Sequence, residues 1–215
     1  MGALRNTGID WQAAKVTQRR YDRQASRYDL MDAPMELVAR PLRRRLWAKV
    51  DGGRVLEVGV GTGRNLIYHP SQSAVTAIDI SPKLLAKAAR KVRKKGQPVA
   101  LGLMDAQRLA FADGSFDGAA ATFVFCSVPD PLVGLAEVRR VLKPGGRLLL
   151  LEHVRLKNRI LGWLMDRLNP MAVRLSGANI NRDTVGNVAI AGFEIVAVDS
   201  YAGGLVKLIE ARKGA

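Results

Sequence analysis

An α/β fold on a doubly wound, mostly parallel sheet is the architecture this sequence predicts, and three observations carry the prediction. Strand-like apolar runs alternate with helix-like amphipathic stretches from Arg54 onward, the pattern of βα units around a parallel sheet. The first run, Val55-Leu56-Glu57-Val58, ends in an acid and opens a turn with glycine at every second position, at Gly59, Gly61 and Gly63. The first three strands also each finish near a carboxylate, at Glu57, Asp79 and Asp105. Ligands in open α/β sheets bind outside the carboxyl ends of the strands, so these acids mark one candidate site.

In chain order, residues 8–50 read as helical. Tyr21, Ala25, Tyr28 and Met31 fall near helical spacing, and Arg40, Arg43, Arg44, Arg45 and Lys49 interleave with Leu42, Leu46, Trp47 and Val50 as a basic amphipathic helix. A strand is predicted over 54–58, and a helix opens over 63–68. A strand over 74–80 precedes Ser81-Pro82, a cap and first-turn pair, and a basic helix to about residue 95. Gly96-Gln97-Pro98 breaks that helix. Strands over 99–104 and 116–125 follow, then a helix over 131–142 with Leu132, Leu135, Val138 and Leu142 on one face. Lys143-Pro144-Gly145-Gly146 reads as a turn before a strand over 147–154. Runs over 193–200 and 205–212, joined by Tyr201-Ala202-Gly203-Gly204, suit a hairpin and hence an antiparallel pair at the sheet edge.

At 215 residues and 48% apolar content, the chain fits one domain with a substantial core, and its composition excludes a disordered chain. Its single cysteine, Cys126, excludes internal disulfides and Cys-cluster metal sites and fits a reducing, cytoplasmic setting. No N-terminal segment resembles a signal peptide, and the longest apolar run, over 119–128, is too short to span a bilayer. The expectation is a soluble or peripheral membrane protein. A net charge of +15 draws it to something acidic: nucleic acid, anionic lipid or a phosphorylated substrate.

The glycine turn narrows the ligand. A dinucleotide loop needs glycine at residue 64, where Arg64 stands. No Gly-Lys-Ser/Thr follows, so the nucleoside-triphosphate loop is excluded as well. A carboxylate at Asp79 can accept both hydroxyls of a ribose, and one at Asp105 can accept from an adenine amine. Ile80 and Met104 beside them can sandwich a purine, and Glu57 can help hold a cationic amino group. Together these residues point to an adenosine-bearing cofactor.

Five segments carry a family resemblance: 56–63 (Leu-Glu-Val-Gly-Val-Gly-Thr-Gly), 77–81 (Ala-Ile-Asp-Ile-Ser), Asp105-Ala106, 111–117 (Phe-Ala-Asp-Gly-Ser-Phe-Asp) and 137–146 (Glu-Val-Arg-Arg-Val-Leu-Lys-Pro-Gly-Gly). As a set they resemble the class I S-adenosylmethionine-dependent methyltransferases of the methyltransferase type 11 kind, over roughly residues 20 to 212. The resemblance implies a Rossmann-like, seven-stranded, mostly parallel sheet with an antiparallel C-terminal hairpin. It assigns Glu57, Gly59, Gly61 and Gly63 to the methionine part of S-adenosyl-L-methionine, Asp79 to the ribose, and Ile80, Asp105 and Ala106 to the adenine. Phe123, at the end of the fourth strand, is counted with these cofactor contacts. Residues 1–50 are then a helical lid within the same domain as the cofactor-binding 51–215, and 155–182 an inserted lid or interfacial segment.

Tyr21-Asp22 and Tyr28-Asp29-Leu30-Met31 resemble the N-terminal lid of the ubiquinone/menaquinone C-methyltransferases, without the Asn-rich, Arg-containing segment those enzymes carry after the fourth strand. Phe125-Cys126-Ser127-Val128-Pro129-Asp130, Glu152-His153-Val154 and Asn181-Arg182-Asp183-Thr184 are similar to thiol S-methyltransferase-like proteins. His153 and the glycine turn also resemble peripheral phosphatidylethanolamine N-methyltransferases. These resemblances imply a lipophilic or membrane-lipid acceptor, with a phospholipid amine or thiol favoured. A quinone precursor, or RNA met by the basic surface, is the alternative. RNA is weakened by an aromatic content of 6%, which leaves few stacking platforms.

The expected transfer is an in-line attack. His153 is the candidate base, with a structural histidine as its alternative, and Tyr21 and Tyr28 are candidates to close over the methyl group. Arg155, Arg182 and Trp163 are the candidate substrate-binding residues, the two arginines for an acceptor phosphate. The insert mixes Lys157, Arg159, Arg167 and Arg174 with Ile160, Leu161, Trp163, Leu164, Leu168 and Met171, the make-up of an interfacial helix. An ordinary lid packed on the core is the other reading of this insert. Cys126 reads as a small buried residue and His69 as a loop residue. Two histidines and one cysteine give no metal site.

Overall fold

The computed structural model describes residues 9–96 and 98–214. Of the expectations above, those for residues 1–8 and for Gln97 lie outside the described residues.

The N-terminal helical stretch is three helices: α1 (Trp11–Gln24), α2 (Tyr28–Met31) and α3 (Ala33–Trp47). Asp10 caps α1 by accepting from the Ala13 amide at 2.9 Å. Pro34, which has no amide hydrogen to donate, suits the first turn of α3 and makes it a new helix. Ala39, Leu42, Arg43, Leu46 and Trp47 form the buried face of α3.

The strands are β1 (Gly53–Val58), β2 (Ser73–Asp79), β3 (Val99–Leu103), β4 (Phe116–Thr122), β5 (Leu142–His153), β6 (Phe193–Tyr201) and β7 (Val206–Lys213). Among the described residues they form one seven-stranded sheet, ordered β3-β2-β1-β4-β5-β7-β6. The first five pair in parallel, while β7 runs antiparallel to both β5 and β6. The predicted hairpin is thus present, but its second strand fills the gap beside β5 and its first lies at the edge. Strand order reverses between β1 and β4, which opens the ligand crevice of this architecture.

Side chains alternate across the central strands and build two cores. Leu56, Val58, Ala119, Ala121, Leu148 and Leu150 pack on one face with Leu135, Val138 and Val141 of α5 (Pro131–Val141). Val55, Ala120, Leu149 and Leu151 pack on the other face with Leu42, Leu46 and Trp47 of α3.

Helix α4 (Pro82–Lys95) has the predicted bounds: Ser81 accepts from the Leu84 amide at 3.1 Å, and Gly96 ends the helix at φ 61°. Four expectations need correction. After Gly63 there is only a 3-10 turn, Leu66–Tyr68, because Pro70 pushes His69 into extended backbone at ψ 128°. Strand β4 stops at Thr122 rather than Phe125, since Phe123 turns left-handed at φ 57°. Strand β5 begins at Leu142, taking up the predicted turn as an irregularity where its pairing jumps from Leu142 to Arg147. A helix that the pattern did not suggest, α7 (Thr184–Ile190), starts where the Asp183 side chain accepts from the Gly186 amide at 3.1 Å. The insert contains α6 (Arg159–Ser176).

Candidate active site

A pocket opens at the carboxyl ends of β1, β2 and β4, the place where open α/β sheets bind ligands. Gly59, Gly61, Asp79, Ile80, Asp105, Ala106, Phe123, Tyr21 and Tyr28 all line it. Nine of the sequence-predicted site residues are therefore brought together on one wall system.

The glycine turn explains itself at two positions. A Cβ on Gly59 would run into the Val124 side chain, and the residue also sits at φ 71°. A Cβ on Gly61 would meet nothing within 4 Å, so this position needs glycine for its φ of 55° and leaves open pocket above it. Gly63 lies behind the turn, against Leu66 and Ala88, and not on the pocket wall.

Asp79 is 7% exposed, and its two carboxylate oxygens accept the Gly61 and Ser81 amides, each at 2.8 Å. Burial pushes its acid up to about 6 against the pull of those two hydrogen bonds, and the Glu57 charge adds to the rise. Asp105 accepts from the Gln107 amide at 2.9 Å. On the pocket wall the Tyr21 hydroxyl meets the Ser127 hydroxyl at 2.5 Å, and the Tyr21 and Tyr28 rings stand 6.2 Å apart. Burial holds both phenols well above their ordinary range, and hence neutral.

The remaining candidates lie elsewhere. Glu57 is fully buried beneath the pocket, where one oxygen accepts from Asn65 Nδ2 at 2.7 Å and the other lies 2.9 Å from His69 Nε2. It is not on the pocket wall, and its two side-chain partners brace the turn from below. His69 is accordingly a buried partner and no simple loop residue, its ring 4.3 Å from that of Trp47. His153 sits behind Phe123, ring against ring at 4.6 Å, and burial lowers its pKa. Arg155 pairs with Asp166 at 2.8 Å, and Trp163 is exposed with Arg167 over its ring. Arg182 donates to the carbonyls of Val128 and Pro129, two residues of the pocket wall, at 3.1 and 3.4 Å. Cys126 is buried, which pushes its thiol up.

Three contributors went unrecognised in the sequence. Arg43 carries its charge into the core, donating to Asn65 Oδ1 at 3.0 Å and Thr122 Oγ1 at 2.6 Å. Its signal was the helical spacing, which puts it on the face of Ala39, Leu42 and Leu46. Glu152, fully buried, accepts the amides of Val124, Phe125 and Cys126 at 2.8, 3.0 and 3.4 Å, and burial raises its acid to about 7. It is a further strand-end acid of the kind counted on the first three strands. Asp22 accepts from the Ser81 hydroxyl at 2.6 Å, tying α1 to the start of α4.

These residues fit S-adenosylmethionine. A nine-tenths-buried carboxylate faces the pocket with, among the described residues, backbone amides alone as its hydrogen-bond partners, the glycine turn leaves room for a close approach, and Ile80 and Met104 supply apolar walls for a purine. Among the described residues no group of three His, Cys, Asp or Glu side chains is placed to hold a metal.

Comparison with known proteins agrees. Residues 56–150 match the family described as a methyltransferase domain. The phosphatidylethanolamine N-methyltransferase of Cereibacter sphaeroides is 42% identical over 135 residues, covering 61% of this chain and 66% of that protein. The ubiquinone/menaquinone biosynthesis C-methyltransferase of Paracoccus denitrificans is 33% identical over 177 residues, covering 76% of this chain and 69% of that one. The chain thus spans about two thirds of the length of these relatives. A Thermotoga maritima SAM-dependent methyltransferase superposes with a TM-score of 0.70 over 92% of this chain and 99% of its own, at 24% identity, which shows the shared fold. Glycine turn, strand-end acids, sheet order and relatives converge: the chain belongs to the class I S-adenosylmethionine-dependent methyltransferases, with S-adenosylmethionine as its cofactor.

Proposed function

We propose that the enzyme methylates a small lipophilic or membrane-lipid acceptor, a phospholipid amine or thiol in first place, while resting on an anionic membrane surface. One observation carries this reading. Helix α6 buries only Gly162, while Ile160, Leu161, Trp163, Leu164, Leu168, Met171 and Leu175 are 41–76% exposed. An apolar face with Arg159, Arg167 and Arg174 interspersed is what an interfacial helix needs. Each Lys or Arg near an anionic bilayer contributes roughly 1 kcal/mol. Leu30, Met31 and Leu37 of α2 and α3 add exposed apolar surface, and Gln24 at the end of α1 donates to the Leu175 carbonyl at 2.9 Å, joining the N-terminal lid to α6. Among the described residues no helix is long and apolar enough to cross a membrane, so the contact proposed is peripheral.

Within the pocket, Gly59 and Gly61 would take the methionine part of the cofactor, Asp79 the ribose, and Ile80, Asp105 and Ala106 the adenine. The cofactor supplies a methyl group already activated on a sulfonium. Tyr21, Tyr28 and Phe123 would hold the acceptor in line and exclude water, and Arg182 would offer its guanidinium to an acceptor phosphate. Alignment alone supplies roughly 7–11 kcal/mol, whereas a general base gives about 10²–10⁴-fold in rate. With His153 behind Phe123, alignment is the larger contribution.

A second reading, C-methylation of a quinone precursor, is favoured by the 33% identity to the Paracoccus enzyme over 76% of the chain. Purified enzyme with methyl-labelled cofactor, offered phospholipid vesicles, alkyl thiols, quinone precursors and tRNA in parallel, decides. Label in phospholipid or thioether supports the first reading. Label in the quinone precursor supports the second, and label only in tRNA overturns both.

A further inference from the structure

We propose that Arg64, the residue that breaks the dinucleotide pattern, is a positioning residue that acts through Asp29 to hold Tyr28 across the pocket. This rests on the methyltransferase reading of the pocket. Arg64 follows the last glycine of the turn, yet its side chain points away from the ligand space. It reaches the N-terminal helices, where Nη1 lies 2.7 Å from Glu36 Oε2 and 3.4 Å from Asp32 Oδ2. Nε lies 3.2 Å from Asp29 Oδ1, and Nη2 donates to the Asp29 carbonyl at 2.9 Å. The Thr62 hydroxyl donates to the same Asp29 Oδ1 at 2.7 Å. Three carboxylates, from α2, α3 and the residue between them, thus converge on one guanidinium whose side chain is 14% exposed.

Helix α2 needs such an anchor. It has four residues, none of them buried, and no side-chain cap at its N-terminus. A single helical turn is unstable by itself in water, and of the α2 side chains Tyr28 turns to the pocket while Leu30 and Met31 are exposed. Tyr28 immediately precedes Asp29, and its ring lines the pocket. Fixing Asp29 at both its carboxylate and its carbonyl therefore fixes the tyrosine. The inner side of the turn gives the Gly61 amide to Asp79, while Thr62 and Arg64 on its outer side hold the lid. The cofactor wall and the lid are registered to each other by the four consecutive residues 61–64. A planar guanidinium spans three carboxylates and a carbonyl in a way that an ammonium does not.

The test uses the full chain and the variants Arg64→Gln, Arg64→Lys, Asp29→Asn and the double variant Arg64→Gln/Asp29→Asn. Hydrogen exchange is read without ligand, and S-adenosylmethionine binding is read by calorimetry. Arg64→Gln is expected to speed exchange over residues 28–36 about tenfold, to leave β4 and α5 unchanged, and to weaken cofactor binding about tenfold, the scale of one charge-assisted hydrogen bond. Asp29→Asn, which leaves the glycine turn intact, should reproduce both effects. The double variant should lose no more than the worse single one, and Arg64→Lys should fall between. Wild-type exchange over 28–36 in Arg64→Gln, or losses that multiply in the double variant, would overturn the proposal. Failure of the wild-type chain to bind S-adenosylmethionine would overturn the pocket reading instead, and the exchange rates would still decide whether Arg64 anchors α2.

Discussion

The Arg43 guanidinium donates to the Thr122 hydroxyl at 2.6 Å, joining the N-terminal helices to the end of the central strand β4 across 79 residues of sequence. The same nitrogen donates to Asn65, and Asn65 donates onward to Glu57 and Thr122. One buried charge thereby ties α3, the glycine turn and the pocket floor into a single network. Replacing it with Met keeps much of the volume but strands these acceptors. Arg43→Met is expected to lower stability by about 3 kcal/mol, read as a shift in the urea midpoint. An unchanged midpoint would mean that the network contributes nothing to the fold.

Asp79 gives a pH dependence with opposite signs for folding and for binding. Burial raises its acid to about 6, so the folded chain keeps a proton that the unfolded chain has already released. That contribution to stability is complete below the ordinary carboxylate range and is lost as pH rises through about 6. Ribose hydroxyls need the ionised form as acceptor. Cofactor affinity is therefore expected to fall about tenfold per pH unit below that value. Calorimetry across this range on wild type and Asp79→Asn checks it, the variant binding weakly and without the slope.

Gly61→Ala separates folding from binding. The new Cβ meets no protein atom within 4 Å, so the cost to the fold is the left-handed backbone, about 1–2 kcal/mol. The methyl group does stand in the ligand space, and cofactor affinity should drop tenfold or more, on the order of one lost close contact. Gly59→Ala should behave differently, because its Cβ collides with Val124; loss of stability should dominate there. Equal melting shifts for the two variants would contradict this division.

Trp163→Ser with Leu164→Ser removes two exposed apolar side chains from α6. Surface changes of this kind stay within about 0.5 kcal/mol of wild type in stability. Binding to anionic vesicles, measured by co-sedimentation, is expected to weaken about tenfold or more, given the apolar area these side chains would bury in the interface. Vesicle binding that survives intact would leave the membrane reading without its main support.

Much of the fold was legible because period and punctuation agreed. Ser81-Pro82 and Gly96 delimit α4 at its observed bounds, and Tyr201-Ala202-Gly203-Gly204 marks the hairpin turn. What escaped was set by tertiary contacts or by a single proline. His69 reads as loop until Pro70 removes the helix and Glu57 captures the ring. The strand-end acids located the pocket, yet spacing could not say which of them faces it. Glu57 and Asp79 both end strands; one is consumed below the floor by Asn65 and His69, the other is open to the ligand space. His153 looked like a base because it ends a strand, and only the left-handed turn at Phe123 shows why a ring stands in front of it.

The place of β7 between β5 and β6 bears on how the chain is made. Glu210 on that strand holds Lys49 at 3.0 Å and Arg147 at 2.6 Å, so segments made earlier wait for one made later. Until residues 206–213 leave the ribosome, β5 has one side of its backbone unpaired and β6, among the described residues, has no strand to pair with. A nascent chain stalled short of Val206 would present an open apolar strand edge, the template from which aggregation starts.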